Sequence, residues 1–183
     1  MQNPFIINGI IPDRYFCDRK SESARIEACI RNQSNMLITS QRRMGKTQLI
    51  HHVYNLSGIS DAYFTFYVDI YSTTSLHEFI LLLSKEIYTT LIPKGKRVLD
   101  SFISILKSLS GSFGYDAMTG LPTFDVKLGD IRIPELTLAE IFHYLENAEK
   151  PCICTIDEFQ QIGNYPENNV EAMLRNHIQK MNN

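Results

Sequence analysis

Ser40-Gln41-Arg42-Arg43-Met44-Gly45-Lys46-Thr47 is the stretch of the sequence that decides the fold. It matches the phosphate-loop pattern G-x-x-x-x-G-K-[ST] except at its first position, where Ser40 stands in place of glycine. In such a loop, backbone N–H groups converge on phosphates, a lysine reaches the β- and γ-phosphates, and a hydroxyl ligates Mg²⁺. The alternative is a chance Gly-Lys-Thr at the start of a helix, capped and solvated. The candidate phosphate-binding residues are Ser40, Gln41, Arg42, Arg43, Met44, Gly45, Lys46, Thr47 and Gln48.

The segments on either side of this loop favour the phosphate-binding interpretation. Residues 35–39 contain the short apolar run Met-Leu-Ile between polar residues, which predicts a buried strand. After the loop, Leu49, Ile50, Val53 and Leu56 follow helical spacing. A strand, a loop and an amphipathic helix in this order are the setting that the motif requires.

A second motif pairs two carboxylates at the end of an apolar segment. The run Ile153-Cys154-Thr155-Ile156 predicts a strand, and Asp157 and Glu158 follow it directly. Ligand sites of α/β proteins lie at the carboxyl edge of the sheet. Asp157 could hold Mg²⁺ through its water shell, and Glu158 could orient or deprotonate an attacking water. Alone, the pair could also be a solvated strand end.

The remaining pattern predicts strands separated by helices, and therefore an α/β chain with a mainly parallel sheet. The first two helices are expected over 19–32, with Asp18 as N-cap, and from the loop to about 56. Further helices are expected over 75–92, over 97–109, from a Thr137-x-x-Glu140 capping box to about 148, and from about 168 to 181. A further strand is expected over 62–70. Residues 110–136 are rich in glycine and proline and predict an insertion or a small hairpin around 128–130 within one domain, 1–183.

Composition limits the classes of function. The chain has 183 residues, a hydrophobic share of 44%, a charged share of 21% and a net charge of −2. Such a charge provides no global attraction to DNA or to an anionic membrane. The longest apolar run, Phe79–Leu83, is too short to span a membrane, and no secretory signal is evident, so we expect a cytoplasmic protein.

These motifs together resemble the archaeal-type, AAA-related P-loop ATPases, which also occur widely in bacteria. The resemblance runs from Phe16-Cys17-Asp18-Arg19-Lys20-Ser21-Glu22 through 40–47 and Tyr67-Val68-Asp69-Ile70 to Asp157-Glu158-Phe159-Gln160. The first segment is similar to the family's F-x-G-R-x-x-E motif, which lies beside the adenine, with Asp18 in place of the glycine. The resemblance therefore implies a nucleotide-binding role for Arg19.

The resemblance implies a three-layer P-loop NTPase fold of the additional-strand, catalytic-glutamate type. It also implies ATP and Mg²⁺ as ligands, with Thr47 and Asp157 at the metal. In-line attack by a water that Glu158 positions would be assisted by Lys46, and the output would be a conformational switch. Two alternatives stay open: a nucleotide-dependent interaction or DNA-tethering module with vestigial hydrolysis, and, less favoured, a small-molecule kinase. Partners would be ATP or ADP, with a homo-oligomer or a protein partner.

Two further expectations concern Asp69 and the C-terminus. Asp69 either adds a polar group near the nucleotide or caps the helix that follows, and we favour the cap. In the family that the chain resembles, the acidic strand and its helix are followed by a central strand with a polar sensor residue. The sequence stops at Asn183, after that helix. We therefore expect an ATPase domain incomplete at its C-terminus, weak in nucleotide binding and turnover by itself, the alternative being a natural short form.

Overall fold

A computed structural model of the chain describes residue 16 and residues 18–41, 44–109, 113–118, 120 and 122–181. The described residues form a mixed α/β structure with a parallel sheet of two strands. The chain divides into two compact units, Met1–Tyr63 and Phe64–Asn183. The elements are α1 (Lys20–Arg31), α2 (Lys46–Asn55), α3 (Ser57–Ser60), β1 (Phe64–Asp69), α4 (Leu76–Leu91), α5 (Lys96–Ile105), β2 (Phe113–Tyr115), β3 (Pro122–Phe124), α6 (Pro134–Asn147), β4 (Cys152–Asp157) and α7 (Val170–Lys180). The α/β class is thus confirmed.

The first unit contains α1, α2 and the short α3. Leu49, Ile50 and Val53 are buried on α2, as their helical spacing predicts. The expected helix over 19–32 is also present, but Asp18 is not its N-cap. Arg19 occupies that position in a left-handed conformation, and no side chain caps the helix.

The predicted strand over 35–39 is not present. The described residues form two sheets, β1 with β4 and β2 with β3, and this segment contributes to neither. Two of its apolar side chains are exposed instead, Leu37 to 82% and Met36 to 43%. An apolar run favours a strand only where a neighbouring strand accepts its backbone hydrogen bonds, so the local preference is not realised here.

The parallel sheet of the second unit pairs β1 with β4. The register runs from Phe64 opposite Cys152 to Asp69 opposite Asp157, so both strands end at the same edge. Alternate residues of β1 are buried, and the residues between them are more exposed, which is the two-residue period of a strand. Both strands were predicted from the sequence.

Helices α4, α5 and α6 lie between β1 and β4 in the chain, and α4 packs against both β1 and α6. Ser75 caps α4 by accepting a hydrogen bond from the backbone N–H of Glu78 at 3.3 Å. The core is dominated by large buried side chains, and the aromatic rings of Phe102 and Tyr144 meet edge to face at 4.9 Å. Among the described residues, no helix is long and apolar enough to cross a membrane.

Two local predictions in this unit are wrong. The Thr137-x-x-Glu140 pattern does not open a helix, because α6 already begins at Pro134, whose fixed φ suits a first turn. Glu140 instead accepts hydrogen bonds from Ser108. The expected hairpin around 128–130 is a 3-10 helix, Leu128–Asp130, while the antiparallel pair lies earlier, between β2 and β3.

Candidate functional site

Gly45 sets the geometry of the predicted phosphate loop. Its φ of 70° is a left-handed conformation that L side chains rarely adopt, and α2 begins at the next residue. A Cβ atom at Gly45 would also lie 3.6 Å from Nη1 of Arg19. Lys46 and Thr47 therefore occupy the first turn of a helix of ten residues, where the helix dipole favours bound anions.

The rest of the loop is described only in part. Arg42 and Arg43 lie outside the described residues. The Ser40 hydroxyl donates to the carbonyl of Gln41 at 3.2 Å, and the Met44 N–H donates to the same carbonyl at 3.3 Å. The Met44 side chain is exposed to 58%, so it does not anchor the loop. Ser40, Gln41 and Met44, the described loop residues before Gly45, are thus joined by short-range hydrogen bonds to the Gln41 carbonyl.

Arg19 contacts the backbone of this loop. Its Nη1 atom donates to the carbonyl oxygens of Met44 at 2.9 Å and Gly45 at 3.2 Å. Its Nε atom lies 3.3 Å from a carboxylate oxygen of Glu22. The structure thus brings Arg19 to the predicted loop, through the backbone, and a direct contact between Arg19 and a nucleotide stays a prediction.

The conformation of the entry segment explains how Arg19 reaches the loop. Asp18 and Arg19 are consecutive residues with φ near 60°, and Asp18 occupies the position of the glycine in the F-x-G-R-x-x-E motif. Aspartate is among the non-glycine residues that adopt this conformation most readily. The Phe16 ring stacks on His52 of α2 at 4.0 Å and nearly parallel. Phe16 and Arg19 therefore hold the two ends of this segment against α2 and the loop.

A carboxylate edge in the second unit, formed by Asp69, Asp157 and Glu158, follows the ends of β1 and β4. Asp157 accepts a hydrogen bond at Oδ2 from the Tyr67 hydroxyl and one at Oδ1 from the backbone N–H of Glu158 at 2.9 Å. Glu158 adopts φ of 56°, and its carboxylate accepts a hydrogen bond from the side-chain amide of Gln160. A non-glycine residue in this conformation costs of order 1 kcal/mol, and such strain concentrates at functional sites.

Asp69 does not cap the helix after β1. Its Oδ1 atom accepts a hydrogen bond from the backbone N–H of Tyr71 at 2.9 Å, and the cap of α4 is Ser75. The preferred interpretation of Asp69 is therefore wrong. Its Cα lies opposite that of Asp157 in the register, so the two residues are neighbours at the sheet edge.

Thr73, Tyr165 and Gln161 form a hydrogen-bonded cluster that is not predicted from the sequence. The Thr73 hydroxyl donates to the Ile70 carbonyl at 2.7 Å, and because it has a single proton it accepts from the Tyr165 hydroxyl at 2.5 Å. Gln161 donates from Nε2 to the Thr73 carbonyl at 2.9 Å. Burial raises the pKa of Tyr165 above its ordinary value. The only signal in the sequence was an aromatic residue within a polar stretch, which is weak.

The residues predicted to hold Mg²⁺ are judged by the chemistry of their side chains. Across the described ranges, no group of three or more His, Cys, Asp or Glu side chains could hold a metal ion. Mg²⁺ usually binds through one or two carboxylates together with water and substrate phosphates. The hydroxyl of Thr47 and the carboxylate of Asp157 are hard oxygen donors of the required kind.

The predicted site residues fall in both units. Lys46 and Thr47 belong to the first, and Asp157 and Glu158 to the second. Comparisons of the chain with protein-family models, with curated proteins and with solved structures find no match. The chemistry of the two motifs therefore carries the functional assignment.

Proposed function

We propose that this chain is a P-loop ATPase domain that binds ATP with Mg²⁺ at the loop ending in Gly45. The observation that carries the proposal is Gly45 in a left-handed conformation directly before Lys46 and Thr47 at the start of α2. A helix start with this residue set presents backbone N–H groups, one cation and one hydroxyl to a polyphosphate. Its likeness to AAA-related ATPases belongs to the same proposal.

Each residue has a role that its chemistry supports. The Lys46 ammonium would neutralise the β- and γ-phosphates, and the Thr47 hydroxyl and the Asp157 carboxylate would hold Mg²⁺. Mg²⁺, when bound, neutralises phosphate charge that develops during transfer. Glu158 would orient the attacking water and accept its proton.

The finer fold assignment is part of this proposal. A three-layer P-loop NTPase arrangement is supported by the parallel pairing of β1 with β4 and by the acidic residues at their aligned carboxyl ends. Ligands of open α/β sheets bind beyond such ends.

A nucleotide-dependent interaction module with little hydrolysis is the second candidate. It is favoured by the hydrogen bond from Gln160 to the Glu158 carboxylate, which occupies one oxygen of the proposed base. In that function, bound nucleotide would change the affinity for a partner while turnover stayed negligible. Both candidate functions use the phosphate loop. They differ in whether the Glu158 carboxylate accepts a proton from the attacking water.

Equilibrium binding and turnover test the proposal together. Affinities for ATP and ADP would be measured with and without Mg²⁺, beside the rate of phosphate release. Lys46→Ala should weaken ATP affinity by roughly tenfold to a hundredfold, because a charge-assisted contact is worth about 1.5–3 kcal/mol. Lys85→Ala, a change at an exposed lysine of α4, is the matched control and should leave affinity unchanged. Equal ATP affinity of wild type and a folded Lys46→Ala variant would refute the phosphate loop.

A further inference from the structure

Residues 35–39, the apolar segment that precedes the predicted phosphate loop, present their backbone to solvent. Across the described ranges, none of these residues belongs to a helix or strand, and none makes a backbone–backbone hydrogen bond. Met36 and Leu37 are exposed to 43% and 82%, and Asn35 and Thr39 are also exposed. A row of accessible N–H and C=O groups beside apolar side chains is a template for pairing with a strand of another chain.

Hydrogen bonds hold the chain directly before and directly after this segment. Before it, the backbone N–H of Ser34 donates to the Cys29 carbonyl of α1 at 3.0 Å. After it, the Ser40 hydroxyl and the Met44 N–H donate to the Gln41 carbonyl at 3.2 and 3.3 Å. A segment that is already held at both ends loses less conformational freedom on pairing than a free chain does.

The order of residues in the segment favours a second copy of the same chain as the partner. Asn35-Met36-Leu37-Ile38-Thr39 has a polar residue at each end and three apolar residues between them, so its pattern is symmetric about Leu37. In an antiparallel pair centred on Leu37, this residue lies opposite its own copy and Met36 lies opposite Ile38. Asn35 then lies opposite Thr39. Each side chain therefore faces one of its own chemical kind.

The charges around the segment also permit self-pairing. Natural proteins protect exposed strand edges from pairing with charged side chains, lysine above all, and with proline. Residues 32–41 contain neither a charged residue nor a proline. Because like charges on opposite positions destabilise a strand pair, an uncharged segment can meet its own copy without this penalty.

We propose that residues 35–39 form an antiparallel β-ladder with the same residues of a second copy, which joins two chains in a symmetric dimer. Each chain contributes the same surface to such an interface. A two-stranded ladder of this length is marginal by itself in water, so the dimer is weak and its population depends on concentration. A strand has two edges and the second copy occupies one of them. The inference holds whether or not the loop that follows binds nucleotide.

Sedimentation equilibrium over a series of protein concentrations, without nucleotide, provides the first test. The wild-type chain should show a monomer–dimer equilibrium. Leu37→Lys removes two apolar side chains from the centre of the ladder and places two ammonium groups opposite each other, so the dissociation constant of the dimer should rise by roughly tenfold or more. Met118→Lys, at a methionine exposed to 96%, is the matched control and should leave the constant unchanged. Circular dichroism and the thermal midpoint check that each variant is folded.

Disulfide cross-linking tests the register. Position 37 lies opposite itself in the proposed ladder, so Leu37→Cys should form a disulfide between two copies under mild oxidation. Position 38 lies opposite position 36, and its own copy is a diagonal neighbour beyond the reach of a disulfide, so Ile38→Cys alone should not form one. A mixture of Met36→Cys and Ile38→Cys chains should. Peptide mass mapping identifies the linked positions, and oxidised wild type provides the background from the native cysteines.

Four results would overturn the inference. The first is a wild-type chain that stays monomeric at every concentration. The second is a dimer that Leu37→Lys leaves unchanged, because another surface would then join the copies. The third is equal cross-linking of Leu37→Cys and Ile38→Cys, which excludes the symmetric register. The fourth is a monomeric wild type whose thermal midpoint falls in Leu37→Lys, which would show that the segment packs within its own chain.

Discussion

The Arg19 guanidinium donates to the carbonyl oxygen of Met44 at 2.9 Å, although 25 residues separate them in the chain. The same Nη1 atom contacts the Gly45 carbonyl at 3.2 Å. In a trans peptide the C=O and the following N–H point in opposite directions. Arg19 therefore turns the N–H groups of Gly45 and Lys46 away from itself. This is the orientation that a loop needs to present N–H groups to an anion.

Loss of the Arg19 side chain should weaken phosphate binding whether or not the ligand carries a nucleobase. We expect Arg19→Ala to reduce affinity for ATP and for inorganic tripolyphosphate by the same factor, roughly three- to tenfold. The hydrogen bonds are partly exposed, so their effect is smaller than that of a buried charged pair. Competition binding measures both ligands. Arg25→Ala, at an exposed position of α1, is the control. A loss confined to ATP would instead show that Arg19 contacts the nucleoside.

Glu158→Gln should separate binding from hydrolysis. The amide has the size of the carboxylate but cannot accept a proton, so turnover should fall by about 10²–10⁴-fold while ATP affinity stays within about twofold. Single-turnover phosphate release and equilibrium binding provide the two values. Glu171→Gln, at an exposed position of α7, should leave both unchanged. Turnover that survives Glu158→Gln would exclude Glu158 as the base.

The buried pair of Thr73 and Tyr165 should contribute to stability. Tyr165→Phe removes one hydrogen bond but leaves Thr73 bonded to the Ile70 carbonyl, so we expect a loss of about 0.5–1.5 kcal/mol in the free energy of unfolding. Urea denaturation followed by circular dichroism measures this loss. Tyr71→Phe at an exposed site should change stability by less than about 0.5 kcal/mol. Equal stability of Tyr165→Phe and wild type would show that the contact is energetically neutral.

His177 should make stability depend on pH in the acidic range. Burial, with a smaller effect of Lys180, lowers the pKa of His177, whose ring stacks on Phe142 at 4.8 Å. The unfolded chain then takes up a proton near pH 6.5, before the folded chain does. The neutral His177 ring makes its full contribution to the free energy of unfolding above pH 6.5. That contribution is lost as the pH falls from 6.5 through the lowered pKa of the folded state.

A variant without the imidazole group tests whether His177 causes this pH dependence of the unfolding free energy. His177→Phe keeps the ring stack and should flatten the pH dependence of the unfolding free energy below about pH 6.5. The exposed His143 provides the control, and His143→Gln should keep the wild-type slope. If the unfolding free energies of wild type and His177→Phe fall equally with decreasing pH, other groups cause the pH dependence.

Periodicity was enough to predict the helices and the two strands that end at Asp69 and Asp157. It failed for residues 35–39 because a strand depends on a neighbour, and local apolar character does not specify one. It failed at Thr137 because a capping pattern inside a helix reads the same as one at its start. The contacts of Arg19, Tyr67 and Thr73 join residues that are distant in the chain. Local patterns in a single sequence do not predict which distant residues will meet.

The order of β1 and β4 along the chain constrains how this protein becomes folded. Phe64 pairs with Cys152, and three helices are synthesised between them. The loop between these strands must close before β1 and β4 can form their first hydrogen bond. Closing a long loop costs conformational entropy, so we expect the parallel pairing to form slowly and late in folding. On the ribosome, β1 emerges long before β4, because α4, α5 and α6 are synthesised between the two strands. The edge that carries Asp69 and Asp157 is therefore among the last parts of the second unit to be assembled.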